Sequence, residues 1–354
     1  MKRSRLLSAI LLLAIMASCS KKDNDVATST TNGKDVYVSG YEINAANITT
    51  AKIWKNGTAT SLTDGTYDAQ ATSVYVAGTD VYVSGYERNA THAVAKIWKN
   101  GTATTLTDGT KDAMALAVFV SGTDVYAAGY EFNSTTGYSV AKVWKNGTAT
   151  ALTDGTQAAF AYSISVSGTN IYAAGFENKP VVNSTINRRV AKVWKNGTAT
   201  ALTDGTYDAQ AASVYVSGSD VYVAGSEYVQ STAGQVQVAK IWKNGVATAL
   251  TNGTKDAQAF AVYLSGPDVY VTGYEINAAN VYVAKIWKNG AATAITDGTK
   301  YAMAKTVFVS GTDVYAAGYE AGGTNAAAKV WKNSTATALT DGTKTANATG
   351  VFVK

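Results

Sequence analysis

The chain shows one alternation of apolar and polar residues many times over. Residues 74–76 and 81–83 both read VYV, and runs of this kind alternate with period two and contain mostly β-branched and aromatic residues, which predicts strands. Gly78-Thr79 separates these two runs, and a glycine there permits a two-residue hairpin. Asn56-Gly57, the strongest short hairpin signal, joins the next pair of runs. The pattern therefore predicts consecutive antiparallel strands.

These strands belong to a repeat. A tryptophan in the phrase AKIWKN or AKVWKN recurs at intervals of 44 to 50 residues, and each copy continues with LTDGT or a close variant and then with two VYV-type runs. Each copy predicts four strands. The repeated tryptophans are Trp54, Trp98, Trp144, Trp194, Trp242, Trp287 and Trp331.

Seven four-stranded units of this size predict an all-β fold, a seven-bladed β-propeller over residues 35–354. Residues 35–42 read as the second strand of a unit and residues 351–353 as the first strand of one. We expect these two strands to complete one blade together and to close the ring. The repeats resemble those of bacterial β-propellers, although they lack the Gly-His and Trp-Asp dipeptides of WD40 repeats and the double glycine of kelch repeats. The resemblance implies the fold and no particular function.

The first residues predict where in the cell the protein is located. A basic start with Lys2, Arg3 and Arg5 precedes an apolar run over 6–15, which suits a signal peptide and is too short to span a bilayer. Ala17-Ser18-Cys19 resembles the lipobox of bacterial lipoproteins. That resemblance implies a signal peptide over 1–18, a lipid on Cys19, a tether over 19–34 and attachment to the outer membrane, with display at the cell surface open. An ordinary secretory signal is the alternative.

Composition narrows the chemistry. The net charge is +5, and three of the basic residues lie within 1–18, so +2 remains for the rest of the chain. No basic cluster is left, and we expect no nucleic-acid partner. Cys19 is the one cysteine, so no disulfide can form within the chain, and His92 has no Cys or His partner for a transition metal. We expect a monomer with no cofactor, no metal site and no catalytic set of residues.

Residues that recur in every copy are interpreted as structural. The seven tryptophans are expected to fill the space between blades. A glutamate and a lysine also recur near opposite ends of one hairpin, and we expect a cross-strand ion pair in each blade. These residues are Glu42, Glu87, Glu131, Glu177, Glu227, Glu275 and Glu320, with Lys52, Lys96, Lys142, Lys192, Lys240, Lys285 and Lys329. The Asp of each LTDGT phrase is expected to order its own turn.

Positions that differ between copies indicate where a ligand binds. They fall in the connection between the second and third strands and in the link between blades, which we expect on one face, with the constant Gly-Thr and Asn-Gly hairpins on the other. The candidate ligand-binding residues occupy two positions of the link. They are Tyr67, Lys111, Gln157, Tyr207, Lys255, Lys300 and Lys344, and, three residues further on, Gln70, Met114, Phe160, Gln210, Gln258, Met303 and Asn347. Neutral drift of exposed loops is the alternative reading.

Three functions remain open at this point. The favoured hypothesis is a membrane-anchored binding scaffold that recognises a glycan or a protein through the variable face and the channel mouth. The second is a carbohydrate-active enzyme, which would need two carboxylates in different surroundings, and Asp68, Asp112, Asp208 and Asp256 stand at one repeat position there. The third is a structural repeat protein without a specific ligand.

Overall fold

Each repeat folds into a four-stranded antiparallel sheet, and seven such sheets make up the computed structural model. The structure describes residues 33–354 except Thr185 and Ala233. The predicted signal peptide, Cys19 and nearly all of the predicted tether lie outside the described residues. Every regular element in the described part is a β-strand.

The first strand of each blade is the innermost one, and these seven strands form the wall of a central channel. They are β4 (Ala69–Ala77), β8 (Ala113–Ser121), β12 (Ala159–Ser167), β16 (Ala209–Ser217), β20 (Ala257–Ser265), β24 (Ala302–Ser310) and β28 (Ala346–Val353). Each packs against the innermost strands of the two adjacent blades, and β28 packs against β4 to complete the ring. The second strands are β1 (Val36–Ile43), β5 (Asp80–Arg88), β9 (Asp124–Asn133), β13 (Asn170–Pro180), β17 (Asp220–Ser231), β21 (Asp268–Ile276) and β25 (Asp313–Ala321).

The third strands carry the tryptophans. They are β2 (Thr49–Lys55), β6 (Ala93–Lys99), β10 (Tyr138–Lys145), β14 (Asn187–Lys195), β18 (Gly234–Lys243), β22 (Tyr282–Lys288) and β26 (Ala326–Lys332). The short outer strands are β3 (Thr58–Ser61), β7 (Thr102–Thr105), β11 (Thr148–Ala151), β15 (Thr198–Ala201), β19 (Val246–Ala249), β23 (Ala291–Ala294) and β27 (Thr335–Ala338).

The ring closes as predicted, through one blade of mixed origin. Its strand order is β28-β1-β2-β3, and β28 pairs antiparallel with β1 from Val36 opposite Val353 to Glu42 opposite Ala346. The two ends of the described chain are therefore hydrogen-bonded to each other, and separating them breaks a whole strand pair.

The core lies between blades. All seven tryptophans are at most 1% exposed. Trp98 of β6, for example, belongs to the same buried cluster as Tyr37 and Ala51 of the preceding blade. The structural interpretation of the tryptophans is consistent with this packing. Each indole Nε1–H is buried without a hydrogen-bond partner in the described residues, so the tryptophans contribute apolar volume rather than polar contacts.

The predicted ion pair forms in all seven blades. Lys52 and Glu42 lie 3.3 Å apart, Lys240 and Glu227 lie 2.5 Å apart, and the equivalent residues of the other blades pair in the same way. The pair joins the second strand to the third diagonally and helps to fix their register.

The Asn-Gly hairpins have the backbone that their sequence predicts. Asn56 and Gly57 both adopt positive φ, at 52° and 84°, as a type I′ turn requires. The side chain of each such asparagine also reaches the start of the second strand of its blade: Oδ1 of Asn100, for example, accepts a 2.8 Å hydrogen bond from the backbone N–H of Val81, which follows the Gly78-Thr79 hairpin. The two constant hairpins therefore lie together on one face.

Candidate binding site at the mouth of the central channel

Every innermost strand contains a β-bulge near the variable end of the channel. In β4 the pairing with β5 passes from Ala71–Gly85 to Ser73–Ser84, so Thr72 is the extra residue. The same shift occurs in the other six blades. A bulge adds an unpaired residue and reverses the faces of the residues after it. Each strand thus turns one extra side chain toward the axis.

The bulge depends on a glycine of the second strand. A Cβ on Gly85 would lie 2.0 Å from the carbonyl oxygen of Gln70, and the equivalent distance in the other blades is 1.8 to 2.0 Å. Only glycine permits this close approach of two backbones. The glycine of the repeated GYE phrase therefore fixes where the bulge forms.

The seven bulge residues line a single open cavity of about 520 Å³ at this end of the channel. They differ from blade to blade more than their neighbours do. They are Thr72, Leu116, Tyr162, Ala212, Phe260, Lys305 and Thr349. This ring of residues was not among the predicted binding residues. Its signal in the sequence is the variation among the copies two residues beyond the second candidate position.

Four of the predicted residues line the same cavity. They are Gln70, Gln210, Gln258 and Asn347. Oδ1 of Asn347 is buried and has no hydrogen-bond partner in the part of the chain that the structure describes. The structure thus gathers four side-chain amides and the seven bulge residues around one space.

The other three residues of that set occupy the same register position without lining the cavity. Phe160 packs against Tyr130 and Phe176, with ring centroids 4.3 Å and 5.2 Å away. Met114 lies opposite Tyr130 and Met303 lies opposite Tyr319 in the strand pairs. Each of these apolar residues therefore lies beside an aromatic residue of a second strand.

The first predicted set lies further out, on the links between blades. Tyr67 and Lys300 are exposed, while Lys111, Gln157, Tyr207, Lys255 and Lys344 are half-buried, and none of the seven lines the cavity. These links lie beside the variable connections, as predicted: Asn89 Nδ2 donates a 2.9 Å hydrogen bond to the carbonyl of Gly109, and Asn277 does the same to Gly298. This set forms a rim around the mouth.

The four candidate acids of the enzyme hypothesis have a structural partner each. Oδ1 of Asp68 accepts a hydrogen bond of 2.8 Å from the backbone N–H of Thr49, and Asp112 accepts one of 2.7 Å from Ala93. Asp208 and Asp256 contact Arg189 and Gln237 in the same way. Each carboxylate therefore ties the link to the third strand of the preceding blade.

Lys305 is the one charged side chain that lines the cavity, and no Asp or Glu lines it in the described ranges. Its Nζ lies 4.5 Å from the centroid of the Phe260 ring. Desolvation in the channel lowers the pKa of Lys305 below that of an ordinary lysine. The cavity therefore combines one positive charge with neutral amides, hydroxyls and rings.

The other end of the channel is apolar and nearly constant. Six rings follow one another with centroids 4.7 to 5.2 Å apart, and we name them the aromatic collar. The collar consists of Phe119, Tyr75, Phe352, Phe308, Tyr263 and Tyr215, and Ser165 occupies the seventh place. Burial raises the pKa of Tyr263 to about 12. The collar lies directly beneath the cavity, because Ser73 and Thr306 line both spaces.

The residues that the structure describes contain no group of three or more His, Cys, Asp or Glu side chains placed to hold a metal. Nδ1 of His92 lies 2.7 Å from the hydroxyl of the adjacent Thr91. Within residues 33–354, Thr185 and Ala233 aside, no helix is long and apolar enough to cross a membrane.

Comparisons with known proteins identify the fold alone. No family model and no curated protein matches the chain. The solved structure of Pyrococcus horikoshii acylaminoacyl peptidase is similar in its uncomplexed form, with a TM-score of 0.56, 13% identity and coverage of 87% of this chain and 51% of that chain. Its orthorhombic form gives 0.54, 12%, 89% and 54%. The β-propeller domain of the trilobed protease from Pyrococcus furiosus gives 0.49, 12%, 87% and 95%.

The chain spans about half the length of the peptidase that it resembles. At 12% and 13% identity the likeness concerns the fold and not the activity. The described part of the chain is all-β, with seven four-stranded blades in a closed ring, and the likeness carries no function over to it.

Proposed function

We propose that this propeller is a binding scaffold that recognises a glycan at the variable mouth of its central channel. One observation carries the proposal: seven nearly identical blades place seven mostly different side chains around one cavity. The blades repeat nearly the same sequence, whereas most of the side chains that line the cavity differ from blade to blade. Drift of exposed loops does not account for this, since the bulge residues lie in paired strands inside the ring.

The lining favours a sugar. Gln70, Gln210, Gln258 and Asn347 offer both donors and acceptors to hydroxyl groups, and Tyr162 and Phe260 offer rings on which a sugar can stack. A cavity of about 520 Å³ is also of the size that small ligands occupy. A glycan end fits both properties.

A protein partner is the second candidate, and one observation favours it. Several large apolar side chains are exposed around the variable face: Tyr67, Phe132, Tyr138, Val182, Ile186 and Tyr301. Exposed aromatic and aliphatic groups of this kind are typical anchors of protein interfaces. A partner bound there would contact the rim and not the cavity.

The enzyme hypothesis is weaker. No carboxylate is among the described side chains that line the cavity, and Asp68, Asp112, Asp208 and Asp256 already accept backbone hydrogen bonds. A retaining or inverting glycosidase needs a free acid and a free base across the substrate. Release of reducing ends from a panel of polysaccharides would contradict the binding proposal.

Attachment to the outer membrane is also part of the proposal, and it rests on the sequence. The lipobox around Cys19 supports a lipid anchor that holds the propeller at the outer membrane as a monomer, with display at the cell surface as the further possibility. Labelling with an alkyne fatty acid in the native host should mark the protein and not its Cys19→Ser variant. Unlabelled wild type would leave an ordinary secretory signal as the explanation.

The binding proposal is tested on a glycan array. Replacing Gln70, Gln210 and Gln258 together by alanine should abolish the glycan signal, with an unchanged melting temperature. A matched control replaces Thr102, Thr148 and Thr198 of the exposed outer strands by alanine and should bind as the wild type does. Equal binding by the glutamine variant would exclude the cavity as the site, and binding lost only when the rim aromatics are replaced would point to the protein partner.

A further inference from the structure

Lys305 differs from the other lysines of the blades. The third-strand lysines pair with glutamates, as Lys285 does with Glu275. Six of the seven hairpin lysines pair with aspartates, as Lys288 does with Asp268 at 2.7 Å, and Lys195 is the exception. Lys305 belongs to neither series and has no carboxylate partner among the described residues. A half-buried ammonium without an anion is costly in a folded protein.

The position of Lys305 results from the bulge. In β24 the pairing passes from Ala304–Gly318 to Thr306–Ala317, so Lys305 is the extra residue of its blade. Its neighbour in the ring is Phe260, the bulge residue of β20, and the ammonium lies over that ring. The contact holds the charge inside the cavity and leaves its other donors free for a ligand.

The surroundings of Lys305 are neutral and capable of hydrogen bonding. Gln258, Gln210 and Asn347 line the same cavity, and the Asn347 amide has a buried acceptor without a partner. The hydroxyls of Thr72 and Thr349 already donate to the carbonyls of Ala115 and Ala71 at 2.7 Å. The side-chain amides are therefore the main groups that can form hydrogen bonds to a ligand.

We infer that the cavity binds a sugar that carries one negative charge, with the anionic group on Lys305 and the hydroxyls on the amides. This inference rests on the proposed glycan binding and specifies its ligand. One ammonium balances one charge, and a second charge would have no partner among the described side chains that line the cavity. A uronic acid and a sugar sulfate ester share the required chemistry, whereas a phosphate monoester carries too much charge.

The test compares one neutral sugar with two related sugars that each carry one negative charge. Methyl glucuronoside, its neutral methyl ester and methyl glucoside 6-sulfate are titrated into the full propeller by calorimetry. A charge-assisted hydrogen bond predicts that the anionic sugar binds about tenfold or more tightly than the ester. Preference for the carboxylate or for the sulfate identifies which anion the site takes, and either preference supports the inference.

Lys305→Met keeps an unbranched stem beside Phe260 and removes the charge, so the acid and its ester should then bind equally. Lys195→Met is the matched control, because Lys195 also lies over a ring, 5.5 Å from the Tyr172 centroid, and forms no ion pair within the described residues, but belongs to the constant face. Lys195→Met should keep the preference. Ala212→Glu supplies a counter-ion inside the cavity and should also remove the preference, which provides a second variant if Lys305→Met does not fold.

The outcomes separate the two proposals. If the wild type prefers neither the acid nor the sulfate to the neutral ester, or if Lys305→Met keeps such a preference, the inference is overturned and glycan binding stays in place. Absence of binding to all three sugars and to every glycan of the array overturns the proposed function and this inference together.

Discussion

Gly85 and Gln70 approach each other so closely that a Cβ on Gly85 would lie 2.0 Å from the carbonyl oxygen of Gln70. The contact joins the second strand of a blade to its innermost strand directly beside the bulge. It links a repeated glycine, which the sequence shows as a constant feature, to the variable side chain of Thr72 two residues along. The glycine that recurs in every blade therefore produces the bulge at which the side chain varies.

Gly85→Ala should destabilise the blade by about 1–3 kcal/mol or more, since the added methyl group meets backbone that cannot move aside alone. Thermal or urea unfolding measures the loss. Gly322→Ala is the control, because nothing lies within 4 Å of a Cβ there and its φ is not positive, and it should leave stability unchanged or slightly raised. Equal effects of the two substitutions would show that the close approach does not matter.

Trp98→Ala should cost about 3–5 kcal/mol, because it empties a fully buried site between two blades. Trp98→Phe should cost clearly less, since the indole N–H makes no hydrogen bond that would be lost. Denaturant midpoints of both variants check the order. A loss with phenylalanine as large as with alanine would mean that the N–H has an acceptor after all.

Most of the fold could be predicted from the sequence, because each turn and strand pattern occurs in nearly every one of the seven repeats. The Asn-Gly turns, the period-two runs and the split blade needed only local rules, and β28 pairs with β1 as expected. The paired Glu42 and Lys52 followed from spacing alone. Local rules were sufficient wherever a residue acts within its own hairpin.

The bulge could not be predicted in that way. A regular strand would place Gln70, Thr72 and Val74 on one face, whereas Val74 is buried between blades and Tyr75 faces the channel. The extra residue follows from the close approach of Gly85 to Gln70, which are 15 residues apart in the chain. The candidate site was therefore found in part: its amides were predicted, and the bulge residues, Lys305 among them, were not.

Ser334→Gly should stabilise the protein by about 1 kcal/mol, because Ser334 adopts a left-handed φ of 69° that costs an L-residue this much. The other six hairpins have glycine there, for example Gly57 with φ 84° and open space around a Cβ. The reverse change, Gly57→Ser, should destabilise by a similar amount. Melting temperatures that move in the same direction for both variants would contradict the argument.

Acid should unfold the propeller through its turn carboxylates. Hydrogen bonds from the backbone and side chain of Thr66 hold the pKa of Asp64 below its ordinary value of 3.8, and the hydrogen bond from Lys99 does the same for Asp80. Ten further aspartates at these two repeat positions behave alike. Since the unfolded chain binds protons first, stability is complete above the unfolded pKa and is lost as the pH falls through the lower folded values.

The melting temperature should therefore stay level from about pH 7 to pH 5 and fall below about pH 4. The fifth turn supplies the control, because Asn252 makes the same hydrogen bonds to Thr254 without a charge. Replacing Asp64, Asp108 and Asp154 together by asparagine should keep the fold at pH 7. It should also make the melting temperature fall less steeply below about pH 4. A fall as steep as that of the wild type would show that other carboxylates govern the transition.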